Sequence, residues 1–224
     1  ARGMDCIWPF ICLKPLMPRL CAVALEADIE PEFIRKVIGE LNLVAPVPTT
    51  DKWPWQIRIY GLGSFQVFVN DKLLAFPGKT PKKSLALLKA MIALGGRDVR
   101  IEKLVDALWP DLEGDAGEKA FNQAVHRMRR LLGASEVVRI EYGKASLSDT
   151  LVWTDVRALE ELLAGKQSAG NRDGAVFSLY RGDFMADESD APWAVSLRER
   201  LRGKFVHHVE KAAAELESVQ RWHE

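Results

Sequence analysis

The sequence predicts an α+β winged helix-turn-helix domain flanked on both sides by all-α helical segments. Three observations carry that reading. Between Ile57 and Asp149, an alternating apolar stretch is followed by three helical patterns and then a second alternating stretch around Tyr142-Gly143-Lys144. APVPTTDKWPW, Ala45 to Trp55, holds three prolines, which fix φ and remove donors, so it reads as a linker. From Val156 onward every apolar pattern repeats at helical spacing. The implied organisation is a helical tail at 1–44, the linker at 45–55, the winged helix domain at 56–152 and a second helical module from 153 to 224.

The elements follow in order. LMPRLCAVALEA predicts a helix with Leu16, Leu20, Val23 and Ala24 inward. PEFIRKVIGELN repeats the pattern at Phe33, Ile34, Val37, Ile38 and Leu41, with Pro31 in the first turn. Two short helices bury little alone, so they need a surface elsewhere in the protein. Ile57, Ile59, Phe65, Val67 and Val69 share one parity around Gly61-Leu62-Gly63, and Asn70-Asp71 is a turn signal. Together they predict a small antiparallel sheet. A helix follows, with Leu85, Leu88 and Ile92 as its stripe and Gly95-Gly96 as its stop. IEKLVDALWPD is a second helix ending at Pro110. Asp115 or Gly117 opens a third helix, Glu118 to Leu132, and Val137 to Asp149 is a hairpin. Three compact helices followed by a two-stranded hairpin are the plan of a winged helix unit. VRALEELLA, DGAVFSLYRGDF and the long pattern from Pro192 then suggest helical repeats.

Net charge is zero, with 31 Lys+Arg against 31 Asp+Glu, but the middle of the chain is mildly basic. Its third helix concentrates that excess. KAFNQAVHRMRRLLG, Lys119 to Gly133, contains no acid. At about 100° per residue, Phe121, Ala124, Val125, Met128, Leu131 and Leu132 gather on one face. Lys119, Gln123, His126 and Arg130 lie opposite, flanked by Asn122 and Arg129 on one side and Arg127 on the other. Solvated faces usually mix charge signs. This one combines the Asn, Gln and Arg types that read base edges with further cations for phosphates. GKTPKK puts Lys79, Thr80, Lys82 and Lys83 at the start of the first helix, where cations oppose the helix dipole but suit a phosphate contact. The hairpin offers Arg139, Tyr142 and Lys144. Each cluster has an ordinary alternative, a solvated face, a lysine-rich turn or a polar hairpin; their convergence favours DNA.

Six stretches in order resemble bacterial transcriptional activators of the antibiotic-regulatory-protein type: RIYGLGSFQV, LVDALWPD, AVHRMRRLLG, LVWTDVRALEELL, LYRGDFM and APWAVSLRERL. That family joins an OmpR-like winged helix to a tetratricopeptide-like bacterial transcriptional activation domain. The resemblance implies a recognition helix in the major groove, binding as dimers on direct repeats, contact with RNA polymerase and a bacterial cytoplasmic location. Leu16 to Asn42 is similar to the helical repeats of MalT-type regulators. The chain departs from the family pattern at Gly114, Asp115 and Glu118, where acids crowd the start of the third helix.

Other chemistry is not indicated. Cys6, Cys12 and Cys21 have neither paired zinc spacing nor an even count, so they read as reduced packing residues. His207 and His208 are adjacent on a helix and point about 100° apart, poor geometry for one metal. No G-x-S-x-G elbow or P-loop occurs, and GLGSF precedes a strand rather than a helix. No apolar run spans a membrane. The expectation is a sequence-specific DNA-binding regulator of the activating kind, with double-stranded DNA, RNA polymerase and a second copy as partners, and with no catalytic residue, metal or cofactor. The alternative is a protein-interaction scaffold whose winged helix no longer binds DNA. Trp109, Trp153 and Trp193 are expected in the core, with Trp53 and Trp55 pinning the linker.

Overall fold

The computed structural model describes residues 15–47, 50–75, 81–112, 114–165, 169–188 and 191–220. Two helices come first, α1 (Met17–Glu26) and α2 (Pro31–Glu40). Pro31 occupies the first turn of α2, as expected. The buried face of α1 is not the expected one. Met17, Cys21, Ala22 and Leu25 are buried, while Leu16, Leu20 and Val23 are more than half exposed. Both faces of α1 are apolar, so periodicity alone cannot choose between them. The choice is made by Trp53, Trp55, Trp153 and Ala158, which share one cluster with the buried residues of α1 and α2. The indole N–H of Trp55 donates to the Thr50 carbonyl at 2.8 Å, which satisfies its one polar atom. Cys21 is a buried free thiol, and burial pushes its pKa up. Cys6 and Cys12 lie outside the described residues.

β1 (Ile57–Tyr60), β2 (Gln66–Val69) and β3 (Lys72–Leu73) form the expected antiparallel ladder, with Ile57 opposite Val69 and Ile59 opposite Val67. Asn70 and Asp71 both have positive φ, at 48° and 63°, the geometry of a tight hairpin turn. The sheet is nevertheless mixed. A short strand, β7 (Val152–Thr154), lies parallel to β1 on its other side and gives the order β3-β2-β1-β7. Three residues directly before a helix are too few to announce a strand by alternation.

The helical unit comprises α3 (Lys82–Ala93), α4 (Ile101–Leu108) and α5 (Asp115–Leu132). The expected stripe of α3, Leu85, Leu88 and Ile92, is buried, and so are Leu87, Ala90 and Met91. α3 is enclosed on more than one side because it packs against both α5 and the last helix of the chain. α5 begins at Asp115, so Gly117 does not open it. Gly117 lies within the helix and is buried, and a Cβ built there would sit 2.5 Å from a methyl of Val105 on α4. Gly117→Val is therefore expected to cost about 1–3 kcal/mol by overpacking. Urea denaturation checks this; a variant as stable as wild type would mean that α4 and α5 can part without loss.

After one 3₁₀ turn (Ser135–Val137), β5 (Val138–Glu141) and β6 (Lys144–Leu147) make the expected hairpin. A two-residue strand just before α4, β4 (Val99–Arg100), joins β6 and completes a three-stranded sheet in the order β4-β6-β5. The chain then continues into α6 (Asp155–Ala164), α7 (Ala169–Leu179) and α8 (Pro192–Gln220). Thr154 caps α6 by accepting from the Arg157 N–H at 3.2 Å.

These last helices share one hydrophobic core with the winged helix unit. Val176, Phe184, Met185, Ala194, Leu197 and Leu201 belong to the same cluster as Ile57, Leu88 and Met128. Leu62 forms an isolated antiparallel bridge with Phe184. The Met185 N–H donates to the Gly61 carbonyl at 2.8 Å, and the Gly63 N–H to that of Asp183 at 3.1 Å. Gly61 admits this approach because a Cβ there would meet the Phe184 ring at 3.1 Å. Arg198 holds the other side of the turn by donating to the carbonyls of Phe184, Met185 and Glu188 at 3.0, 3.2 and 3.0 Å. Lys89 on α3 pairs with Glu188. Trp153 is buried; Trp109 and Trp193 are half-buried against the core.

Candidate nucleic-acid interface

α5 is the centre of the candidate surface. Phe121, Ala124, Val125, Met128 and Leu132 are buried, and Gly133 closes the helix with φ 67°. That leaves Lys119, Asn122, Gln123, His126, Arg127 and Arg130 exposed on the outer side. Among the described residues none of the six side chains makes a hydrogen bond or an ion pair. Arg129 differs. Its Nη2 donates to the Val138 carbonyl at 2.6 Å and its Nε is buried. Arg129 thus ties α5 to the first strand of the hairpin rather than facing outward.

At the start of α3, Lys82 is exposed, and its side chain makes no hydrogen bond or ion pair among the described residues. Lys83 is engaged. Its ammonium donates to the Leu108 carbonyl at 2.9 Å and lies 5.6 Å from the centre of the Trp109 ring. It therefore neutralises the carbonyl end of α4. Lys79 and Thr80 lie outside the described residues.

On the hairpin, Arg139, Tyr142 and Lys144 are all exposed. Arg139 has Glu141 as a neighbour at 3.8 Å, an exposed pair that binds it weakly. The register sets Arg100 of β4 directly opposite Lys144 of β6. Arg100 is exposed and joins Lys144 and Arg139 as a cation of this sheet. Sequence reasoning missed it, because Val99-Arg100 is too short to show alternation. The only available signal was the apolar-then-basic pair between Asp98 and the helix start.

The surface is not uniformly basic. An open groove of about 690 Å³ runs between α4 and the start of α5, lined by Glu102, Asp106, Asp115 and Glu118. The acid-free part of α5 begins after it, at Lys119. No group of three His, Cys, Asp or Glu residues among the described residues could hold a metal ion. His207 is exposed, and His208 places Nε2 3.0 Å from an Asp173 oxygen on α7. No helix among the described residues is long and apolar enough to cross a membrane.

No family model matches the sequence, and no curated protein matches it. Solved structures do match. One is Mycobacterium tuberculosis EmbR in complex with a low-affinity phosphopeptide, with a TM-score of 0.51 at 20% identity. The match covers 75% of this chain and 51% of that one, so the chain spans about half the length of EmbR. At that identity the likeness is one of fold: a mixed α/β unit of helices and small sheets is common to the two proteins.

Proposed function

We propose that this chain is a sequence-specific DNA-binding transcriptional regulator. In this reading α5 enters the major groove, and Asn122, Gln123, His126, Arg127 and Arg130 read or track it. Lys82 and the hairpin cations Arg100, Arg139 and Lys144 rest on phosphates and set the register. The observation that carries the proposal is the outer face of α5, six exposed polar or cationic side chains with no hydrogen-bond or ion-pair partner among the described residues. The resemblance to antibiotic-regulatory-protein activators adds activation, RNA polymerase as a partner and binding as dimers. Residues 56–152 would then bind DNA, and 153–224 would begin a tetratricopeptide-like activation module. The linker at 45–55 would join them to a helical tail at 1–44, and the protein would work in the bacterial cytoplasm.

The acidic groove beside the start of α5 supports a second reading, a scaffold that docks a basic protein partner there. The two readings differ in salt response. A DNA binder of this kind holds mixed-sequence duplex at ~50 mM salt and releases it steeply by ~200 mM. Lys82→Ala is expected to flatten that dependence by about one unit of log K per log salt. Fluorescence anisotropy measures both. A wild-type chain with no salt-dependent affinity for duplex removes the DNA reading and leaves the scaffold.

A further inference from the structure

We infer that Tyr142 is an aromatic wedge that enters a base-pair step of bound DNA from the minor groove. The inference rests on the DNA-binding reading and goes beyond it to one residue and one deformation. Tyr142 is 99% exposed, and its ring and hydroxyl touch no other side chain among the described residues. It also occupies a costly backbone position. Tyr142 and Gly143 form the two-residue turn between β5 and β6, with φ 50° and 71°. Such a turn needs positive φ at both central residues, which suits Asn, Asp or Gly and disfavours a bulky side chain.

The molecule supplies its own comparison. Its other two-residue hairpin turn, between β2 and β3, uses Asn70 and Asp71, residues that accept this geometry at little cost. Tyrosine at the corresponding place in the β5–β6 turn carries both strain and an exposed ring, and gains nothing inside the fold. The tip is held in place all the same. β6 is paired on both sides, and the Gly143 carbonyl accepts the Ile101 N–H at 3.0 Å at the start of α4. Arg100, Arg139 and Lys144 lie on the same small sheet, offset by one carboxylate, Glu141. A stiff tip with an aromatic ring and cations behind it matches what inserting a wedge requires. The cations hold phosphates, and the ring replaces part of the stacking lost at the opened step. Steps that unstack easily, pyrimidine followed by purine, are the favoured sites.

The test uses the full chain and a duplex of ~30 bp recovered by selection from a randomised pool. Bending is read by end-to-end fluorescence transfer and unstacking by 2-aminopurine placed along the site. Wild type and Tyr142→Phe are expected to bend the duplex and to brighten one step. Tyr142→Asn restores the residue that the turn prefers, so its melting temperature should equal or exceed that of wild type. It should nevertheless lose the bend and bind roughly ten- to a hundredfold more weakly. If Tyr142→Asn bends and binds like wild type while Arg130→Ala loses affinity, the wedge is wrong and the recognition helix stands. If the wild-type chain recovers no duplex from the pool, the DNA-binding reading fails and the wedge fails with it.

Discussion

Alanine at Asp155 is expected to lower the stability of the chain by about 2–4 kcal/mol near neutral pH, by the following balance. Asp155 is the first residue of α6 and is 1% exposed. Its carboxylate accepts from Gly61 N–H with both oxygens, at 2.9 and 2.8 Å, from Leu62 N–H at 2.8 Å, and from its neighbour Val156 N–H at 2.7 Å. Alanine leaves three buried donors unpaired, each worth about 1–3 kcal/mol. Against that loss, it removes a buried charge. Burial pushes the Asp155 carboxyl up to about 6, and the Leu62, Gly61 and Val156 N–H groups and Arg181 pull the other way. Urea denaturation of Asp155→Ala within about 0.5 kcal/mol of wild type would show that water or a shifted backbone replaces the carboxylate.

The same group sets a pH dependence whose sign is fixed. Its pKa is higher folded than unfolded, so between about pH 4 and pH 6 the folded chain holds the proton more firmly than the unfolded one. The Asp155 contribution to stability is therefore fully present below that window and falls as pH rises through it, by about 3 kcal/mol for a shift of two units. Asp155→Asn cannot titrate. The stability gap between wild type and Asp155→Asn should narrow as pH rises from about 4 to about 7. A gap that widens would mean that the N–H bonds outweigh burial and that the carboxyl sits low instead.

Asp155 also illustrates what the sequence could and could not reveal. Its neighbours in the chain, LVWTDVRALEELL, were legible as the start of a helix, and GLGSF and RGDFM were legible as motifs. That the three meet was not. Gly61 and Asp155 are ninety-four residues apart, and Leu62 meets Phe184 across a still longer span. No local period encodes such a pairing. The winged helix and the helices after it therefore read as two modules in sequence while sharing one core in three dimensions. Elements with long apolar periods, such as α5 and the β1–β2 hairpin, were readable because each buries one face, and α3 was readable from its Leu85, Leu88 and Ile92 stripe although it is enclosed on more than one side. β4 and β7 were not, because two or three residues cannot display alternation. α1 was readable as a helix and misjudged in orientation, since Leu16, Leu20 and Val23 match Met17, Cys21 and Leu25 in apolar character. The candidate site was legible to the extent that it lies on α5. Lys83, whose ammonium is spent on the Leu108 carbonyl, and Arg129, spent on that of Val138, show the limit. Sequence gives a cation's position on a helix but not whether a carbonyl is waiting for it.

Replacing Arg127 and Arg130 together by glutamate is expected to weaken duplex binding about 10²–10³-fold at ~100 mM salt, with little change in stability. Both side chains are exposed and have no hydrogen-bond or ion-pair partner among the described residues, so no such bond is lost. Exposed substitutions of this kind usually change stability by less than about 0.5 kcal/mol. Glutamate at Arg130 adds a small penalty near the carbonyl end of the helix, since Arg129 and Arg130 lie in its last turn. The effect on DNA is of another order. Each reversal withdraws a cation from the phosphates and adds an anion facing them. The salt dependence should flatten along with the affinity, because fewer counterions are released. Arg129→Ala is the matched control on the same turn of the same helix. It removes the 2.6 Å bond to Val138 and should lower stability more than the double reversal does, while changing the salt slope less. If Arg129→Ala and the double reversal showed the same profile, a loss of folding would explain both, and the outer face of α5 would lose its claim to be the binding surface. If the double reversal bound duplex like wild type, the face would be solvated in use as well as in structure, and the acidic groove beside the start of α5 would become the surface to follow.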